Sequence, residues 1–219
     1  YDILRTIKAE GRNFGRSDHG KGTRVQVEFV SANPTGPINI VSGRAAAVGD
    51  ALVNLLNAAG YDAIREYYVN DAGGQVELLG ASIDVRYREL LGEKDLKIPE
   101  GGYPGEYLIN LAQSIIDTDE DKYVKLTDAA RITAFCDLGV QRLLDGQKAS
   151  LSRFGVHFDV WTSEKALRDS GKPDQIIGIF REHGYLYEAD GATWFRMTDF
   201  GDDKDRALQK SDKSWTYFA

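Results

Sequence analysis

One cysteine, Cys136, among 219 residues excludes an intrachain disulfide framework and points to a reducing compartment. The three histidines, His19, His157 and His183, show no ligand spacing, so no zinc site is expected. No apolar run reaches transmembrane length and no signal-type N-terminus is present, so neither membrane attachment nor secretion is expected and the setting reads as cytoplasmic. An excess of positive charge is lacking too. With 27 Lys and Arg against 34 Asp and Glu the formal charge is −7, so the chain as a whole does not attract nucleic acid, and any RNA contact requires a local basic patch.

What is present is the material of a packed domain: 42% of the chain is hydrophobic and 11% of the chain is aromatic, on a length that suits one large domain or one with an insertion. The chain opens inside an apparent helix (Tyr1 to Ile7) and stops inside an apparent strand (Trp215 to Ala219), so both ends read as cut from something longer.

Thr23 to Val30 has the apolar run of a strand buried on both faces. Gly43 to Ala59 follows as an amphipathic helix with Val48, Leu52, Leu55 and Leu56 on its apolar side, closed by Gly60. Ala63 to Val69 reads as a second strand, and Asp71 as an N-cap for a helix through Leu78 and Leu79. Strand, helix, strand in this order predicts a parallel pair with a right-handed crossover. Beyond a Gly/Pro loop at Ile98 to Gly105, two helices are expected, from Glu106 to Ile116 and from Ala129 toward Phe154. β character resumes at Val156 to Val160. A short helix near Pro173 to His183 and strands at Leu186 to Glu188, Thr193 to Met197 and Ala207 to Lys210 complete the pattern. Residues 1–92 and 156–219 thus read as one catalytic fold interrupted by a helical insertion at 93–155.

The stretch "VEFVSANPTGPINIVSGR" (Val27 to Arg44), together with "REYYVNDAGGQ", "DGATWFRMTDFGDDKDRALQKSD" and "TYFA", resembles the class I arginyl-tRNA synthetases of bacterial type over almost the whole length. The resemblance implies an α/β, Rossmann-like catalytic domain with a parallel sheet, ATP as cosubstrate with magnesium accompanying it, and arginine and its tRNA as partners of a monomer. Family members carry "VEFVSANPTGPLHVGHGR", whose His-Val/Ile-Gly-His signature handles ATP where the first strand feeds a helix. A helix N-terminus suits polyphosphate, and the histidines stabilise charge as the arginine carboxylate attacks the α-phosphorus. Here the aligned residues are Asn39, Ile40, Val41 and Ser42, so both histidines and the glycine are replaced. Asn39 and Ser42 still donate hydrogen bonds but carry no positive charge, and Val41 adds a branched side chain. Gly43 and Arg44 complete the nucleotide-binding candidates. The family's lysine- and serine-containing KMSKS-type loop and its anticodon domain belong beyond residue 219.

By the same resemblance Ser31 and Asn33 match residues that hold the α-amino and carboxylate groups of arginine, Tyr217 matches a tyrosine lining the side-chain pocket, and Asp190 is a candidate carboxylate for the guanidinium. Simpler readings stand beside these. Ser31 and Asn33 also suit a strand end and turn, Asp71 a helix cap, Asp202 to Arg206 a solvated charged turn, His157 and His183 structural positions, and Cys136 a packed helical stripe. Arg44 fits either orientation of the signature loop or phosphate binding. Two functions follow: a catalytic-domain portion of an arginine–tRNA ligase, impaired by its altered signature, or a non-catalytic relative that binds arginine or a protein partner. Replacement of the signature by engineering is a third origin the residues allow.

Overall fold

In the computed structural model, which describes every residue except Tyr217 and Ala219, the chain forms two compact units, Tyr1–Glu164 and Lys165–Ala219. The first opens with helix α1 (Asp2–Glu10) and is built on three parallel strands, β1 (Arg24–Glu28), β2 (Asp62–Val69) and β3 (Val160–Ser163), in the order β1-β2-β3. Helix α2 (Ile40–Ala58) makes the crossover between β1 and β2, whose register pairs Val27 with Arg65 and Glu28 with Glu66. The strand, helix, parallel strand unit expected from the sequence is therefore present.

Two details of that unit differ from expectation. β1 is an edge strand with alternating exposure, so its Val25 and Val27 face the helix layer while Arg24, Gln26 and Glu28 face outward. The helix docks through Ala46, Gly49 and Val53 rather than through the larger apolar residues. The cause is the Phe29 ring, which lies where a Cβ on Gly49 would sit, so only the small-residue side of α2 can approach. Val41, Val48, Leu52 and Leu55, which share the other side at three- and four-residue steps, stay 44–72% exposed. Polar contacts fix the docking: Arg65 Nε donates to Asp50 Oδ1 at 2.8 Å and its Nη2 to Asn54 Oδ1 at 2.7 Å, while the Asn57 amide clasps both backbone groups of Ala63.

Helices α3 (Gly74–Leu90), α4 (Tyr107–Asp119) and α5 (Asp128–Arg153) form a second core of Leu79, Ile83, Tyr87, Leu108, Ile115 and Phe135. Each such buried side chain contributes about 1.5–3 kcal/mol over leaving it in water. At Gly80 a Cβ would overlap Cys136 Sγ and crowd the α5 backbone, so α3 and α5 meet at their smallest residues, and Cys136 is half-buried in that crossing. The same interface buries Asp84 and Arg131, 4% and 5% exposed, in a hydrogen-bonded ion pair. Arg131 is also held by Asp128 at 2.8 Å, and Arg88 lies 3.6 Å from Asp84. Thr127 caps α5, accepting from Ala130 N at 3.3 Å.

Asp71 does not cap α3. That helix starts at Gly74 after Gly73, with no side-chain cap, and Asp71 instead accepts from Ser163 Oγ at 2.6 Å at the end of β3. The expected strand at Val156–Val160 begins only at Val160, because Asp159 turns its carboxylate onto Arg65 N at 2.8 Å while Val156 and Phe158 drop into the core. The second unit contains α7 (Lys172–Glu182) after α6 (Glu164–Asp169), a short helix with no counterpart in the sequence reading. An antiparallel sheet of β4 (Leu186–Ala189), β5 (Ala192–Phe195) and β6 (Arg206–Gln209) follows. Of the expected terminal strand, Trp215 forms an isolated bridge with Gln209, and Tyr217 and Ala219 lie outside the described residues.

Candidate functional site

β1 ends in a backbone that needs side-chain contacts to hold it. Val30 and Ser31 both adopt positive φ, 67° and 40°, and Ser31 N donates back to Phe29 O at 3.0 Å. A β-branched residue in this region is disfavoured by about 1–2 kcal/mol. Ser31 offsets this by bridging the strand ends: its Oγ donates to Glu28 Oε1 at 2.6 Å and accepts from Tyr68 N at 3.1 Å. Glu28 and Glu66 are register neighbours here, so two carboxylates stand side by side at the C-terminal end of the parallel strands, the place where open α/β sheets bind ligands. Asn33 extends the site by donating from Nδ2 to Gln75 Oε1 at 2.7 Å.

Beneath the turn lies Tyr67, fully buried and stacked on Trp161 with centroids 4.4 Å apart. Its hydroxyl accepts from Ala32 N at 3.1 Å and lies 2.9 Å from Gln147 Oε1. Gln147 Nε2 reaches Asn33 O at 3.0 Å and Gly36 O at 2.8 Å, and Tyr107 donates to Thr35 O at 2.6 Å. Burial pushes the Tyr67 phenol up to about 12, with the Ala32 amide pulling the other way. A phenol whose folded pKa is raised lends stability that is complete below its ordinary value near 10 and is lost as pH rises through about 12. Denaturant titrations across that window should show an alkaline loss of stability in the native chain. In Tyr67→Phe, less stable at neutral pH, the alkaline slope should be shallower; equal slopes would show that Tyr67 ionises freely.

At the other end of the turn Asn39 serves as the N-cap of α2, its Oδ1 accepting from Ser42 N at 2.9 Å. Its Nδ2 is the part left to meet a ligand. Val41, Gly43 and Arg44 line a shallow cavity of about 410 Å³ with Ile40, Ala47 and Phe154, and Ile40 and Val41 are 88% and 72% exposed. A Cβ on Gly43 would meet nothing within 4 Å. Ser31, Asn33, Asn39, Val41, Ser42, Gly43 and Arg44 therefore follow one another along a single β1-to-α2 connection. Asp190 belongs to the second unit, at positive φ in the tight turn between β4 and β5, and is exposed; Tyr217 lies outside the described residues.

Sequence reasoning missed Glu28, Tyr67, Tyr107 and Gln147. For Gln147 a signal existed: it stands four residues after Leu143 and four before Leu151, a polar residue on an apolar helical stripe. The Asp202 to Arg206 run is a charged turn in which Arg206 Nη2 reaches Asp203 at 2.9 Å and Asp202 at 3.2 Å, Asp205 accepts from Thr198, and Arg206 holds the Asp202 pKa down at about 2. His183 Nδ1 lies 2.8 Å from Ile179 O at the end of α7, and His157 is exposed. Among the described residues no group of three or more His, Cys, Asp or Glu side chains could hold a metal ion, and no helix is long and apolar enough to cross a membrane.

Residues 4–219 match the family model described as tRNA synthetases class I (R), catalytic domain. The arginine–tRNA ligase of Geobacillus thermodenitrificans is 47% identical over 215 residues, which are 98% of this chain and 38% of that protein. The arginine–tRNA ligase of Syntrophotalea carbinolica is 46% identical over 219 residues, 39% of its length. The chain thus spans about two fifths of these relatives. Among solved structures, one assigned as an arginyl-tRNA synthetase from Campylobacter jejuni superposes with a TM-score of 0.88 at 30% identity, covering 99% of this chain and 47% of that one. The Thermus thermophilus arginyl-tRNA synthetase, at 20% identity and a TM-score of 0.61, shares the fold.

Proposed function

Because the chain belongs to the class I arginyl-tRNA synthetase catalytic-domain family, we propose that it carries that family's arginine site in working order beside an impaired ATP site. The reaction so served is attack of the arginine carboxylate on the α-phosphorus of ATP with loss of pyrophosphate, followed by transfer to the tRNA. The observation that carries this reading is the contrast from β1 into α2: the Ser31 to Gly36 turn is held by hydrogen bonds at Ser31, Ala32, Asn33, Thr35 and Gly36, whereas the signature positions hold Asn39, Ile40, Val41 and Ser42.

In this reading Glu28 and Glu66 supply the negative charge that a cationic amino acid requires, and Ser31 and Asn33 orient its α-amino and carboxylate groups. Asp190 and Tyr217 remain the sequence-based candidates for the guanidinium end. ATP would meet the N-terminus of α2, where the Asn39 amide and the Arg44 guanidinium are the available donors and Val41 projects a branched side chain. Losing a preorganised donor to the transition state removes about 2.7–4 kcal/mol, so adenylation should be slow. Magnesium would arrive on the ATP phosphates. The same reading makes the chain a cytoplasmic monomer, with residues 93–155 as the helical insertion of the catalytic fold.

Calorimetry with each ligand tests this. Arginine should bind more tightly than ATP, and Glu28→Gln should weaken arginine by about tenfold, the worth of one charge-assisted hydrogen bond. Tight ATP binding without arginine binding would reverse the assignment of which half is intact. The exposed Ile40 and Val41 favour a second reading, a non-catalytic relative, and measurable arginine-dependent ATP–pyrophosphate exchange would exclude it.

A further inference from the structure

The turn that carries Ser31 and Asn33 cannot hold itself. Pro34 and Pro37 contribute no N–H, and Pro34 and Thr35 are buried. The carbonyls of Asn33, Thr35 and Gly36 all accept side-chain hydrogen bonds. These come from helices more than seventy residues further along the chain. Tyr107, the first residue of α4, supplies one donor and Gln147, in α5, supplies two.

Gln147 is 1% exposed and its amide can sit only one way round. With Nε2 toward the two carbonyls, both its hydrogens find acceptors and Oε1 faces the Tyr67 hydroxyl. Turned over, Oε1 would oppose two carbonyl oxygens. The Tyr67 proton is thereby committed to Gln147, which leaves the phenol oxygen to accept from Ala32 N. A closed circuit results: from the turn at Ala32, through Tyr67 and Gln147, and back to the turn at Asn33 and Gly36.

We propose that Gln147 is the positioning residue of the ligand turn, setting the conformation in which Ser31 and Asn33 meet the ligand. This rests on the arginine reading above for its ligand but not for its mechanism. A buried glutamine that only fills space would not have both its amide hydrogens on one six-residue turn and its carbonyl joined to that turn through Tyr67. The circuit also makes the helices between Tyr107 and Arg153 part of the site without touching the ligand.

The test uses the 219-residue chain with Gln147→Leu and Gln147→Glu. In the leucine variant Tyr67 can redirect its proton to Ala32 O, 3.0 Å away, so the loss falls on the Asn33 and Gly36 carbonyls and the fold should persist. With the turn released at Asn33 and Gly36, its openings also separate Ala32 N from the Tyr67 hydroxyl, so amide hydrogen exchange at Ala32 should quicken by about tenfold or more while amides of α5 and β2 keep their protection. Arginine binding should weaken by a similar factor. The glutamate variant adds a pH readout. Facing two carbonyls in a buried site, its carboxyl pKa is raised, so its neutral form donates at low pH and the support is lost as pH rises through that value. Its single O–H can serve only one of the two carbonyls, so its arginine affinity should lie between those of the native chain and the leucine variant near about pH 6 and fall to or below that of the leucine variant near about pH 8.

Unchanged Ala32 exchange, a uniform rise across all amides, or a glutamate variant that matches leucine at both pH values would each overturn the proposal. If the native chain binds no arginine, the arginine reading falls, and the exchange measurements alone decide the positioning role.

Discussion

Arg131→Met is expected to lower the stability of the folded chain by about 3–5 kcal/mol, because it leaves the Asp84 carboxylate buried without its main partner. Arg88, 3.6 Å from Asp84, provides partial compensation and places the loss toward the lower end of that range. Methionine keeps most of the aliphatic length, so the effect isolates charge and hydrogen bonding from volume. The second half of the experiment is Asp84→Leu in the Arg131→Met background. Removing both charges should recover part of the loss, since an apolar pair of similar volume avoids the desolvation that the ion pair carries. Urea denaturation of the native chain, the two variants and Asp84→Leu alone gives the coupling directly. A loss under about 1 kcal/mol for Arg131→Met would show that the α3–α5 interface is wetter than described. Since α5 also delivers Gln147 to the turn, the variant should weaken arginine binding wherever it populates the unfolded chain.

The triple change Asn39→His, Val41→Gly and Ser42→His is expected to tighten ATP binding by about a hundredfold while making the chain less stable. The gain comes from two imidazoles at the N-terminus of α2, each able to add a charge-assisted hydrogen bond to phosphate worth about 1.5–3 kcal/mol. The loss comes from the cap. Asn39 Oδ1 accepts from Ser42 N, and removing an N-cap costs about 1 kcal/mol, with a few tenths more for glycine inside the first turn. The two effects have different readouts, ATP calorimetry and denaturant midpoint, so neither hides the other. Imidazolium forms below about pH 6.5, so the gain in affinity should grow as pH falls toward that value. Improved ATP binding from Val41→Gly alone, with no further gain from the histidines, would mean that the obstruction is steric and that the missing charge is unimportant.

Much of the frame was legible in the sequence because it is local. The 3.6-residue periodicity of Ile132, Phe135 and Val140 and the β-branched Val25 and Val27 each reveal their element without reference to anything distant. What was not legible depends on partners far along the chain. Asp71 reads as a cap until Ser163 is known to lie beside it, and Asp159 reads as part of a strand until the Arg65 amide claims its side chain. The larger apolar residues of α2 read as its buried side because their spacing is right, and only the Phe29 ring against Gly49 decides otherwise. At the site, the signature residues could be found by their order, whereas Tyr67, Tyr107 and Gln147, which fix the turn's shape, lie 35 to 114 positions from the atoms they hold.

The stripe of Val41, Val48, Leu52 and Leu55 along α2 has a thermal consequence. Apolar groups already in contact with water in the folded state add nothing to the hydration change on unfolding, so the heat-capacity increment should fall below the usual 12–15 cal/mol/K per residue, roughly speaking. A small increment flattens the curve of stability against temperature. Four side chains among 219 residues lower the increment only slightly, so the flattening should be correspondingly small.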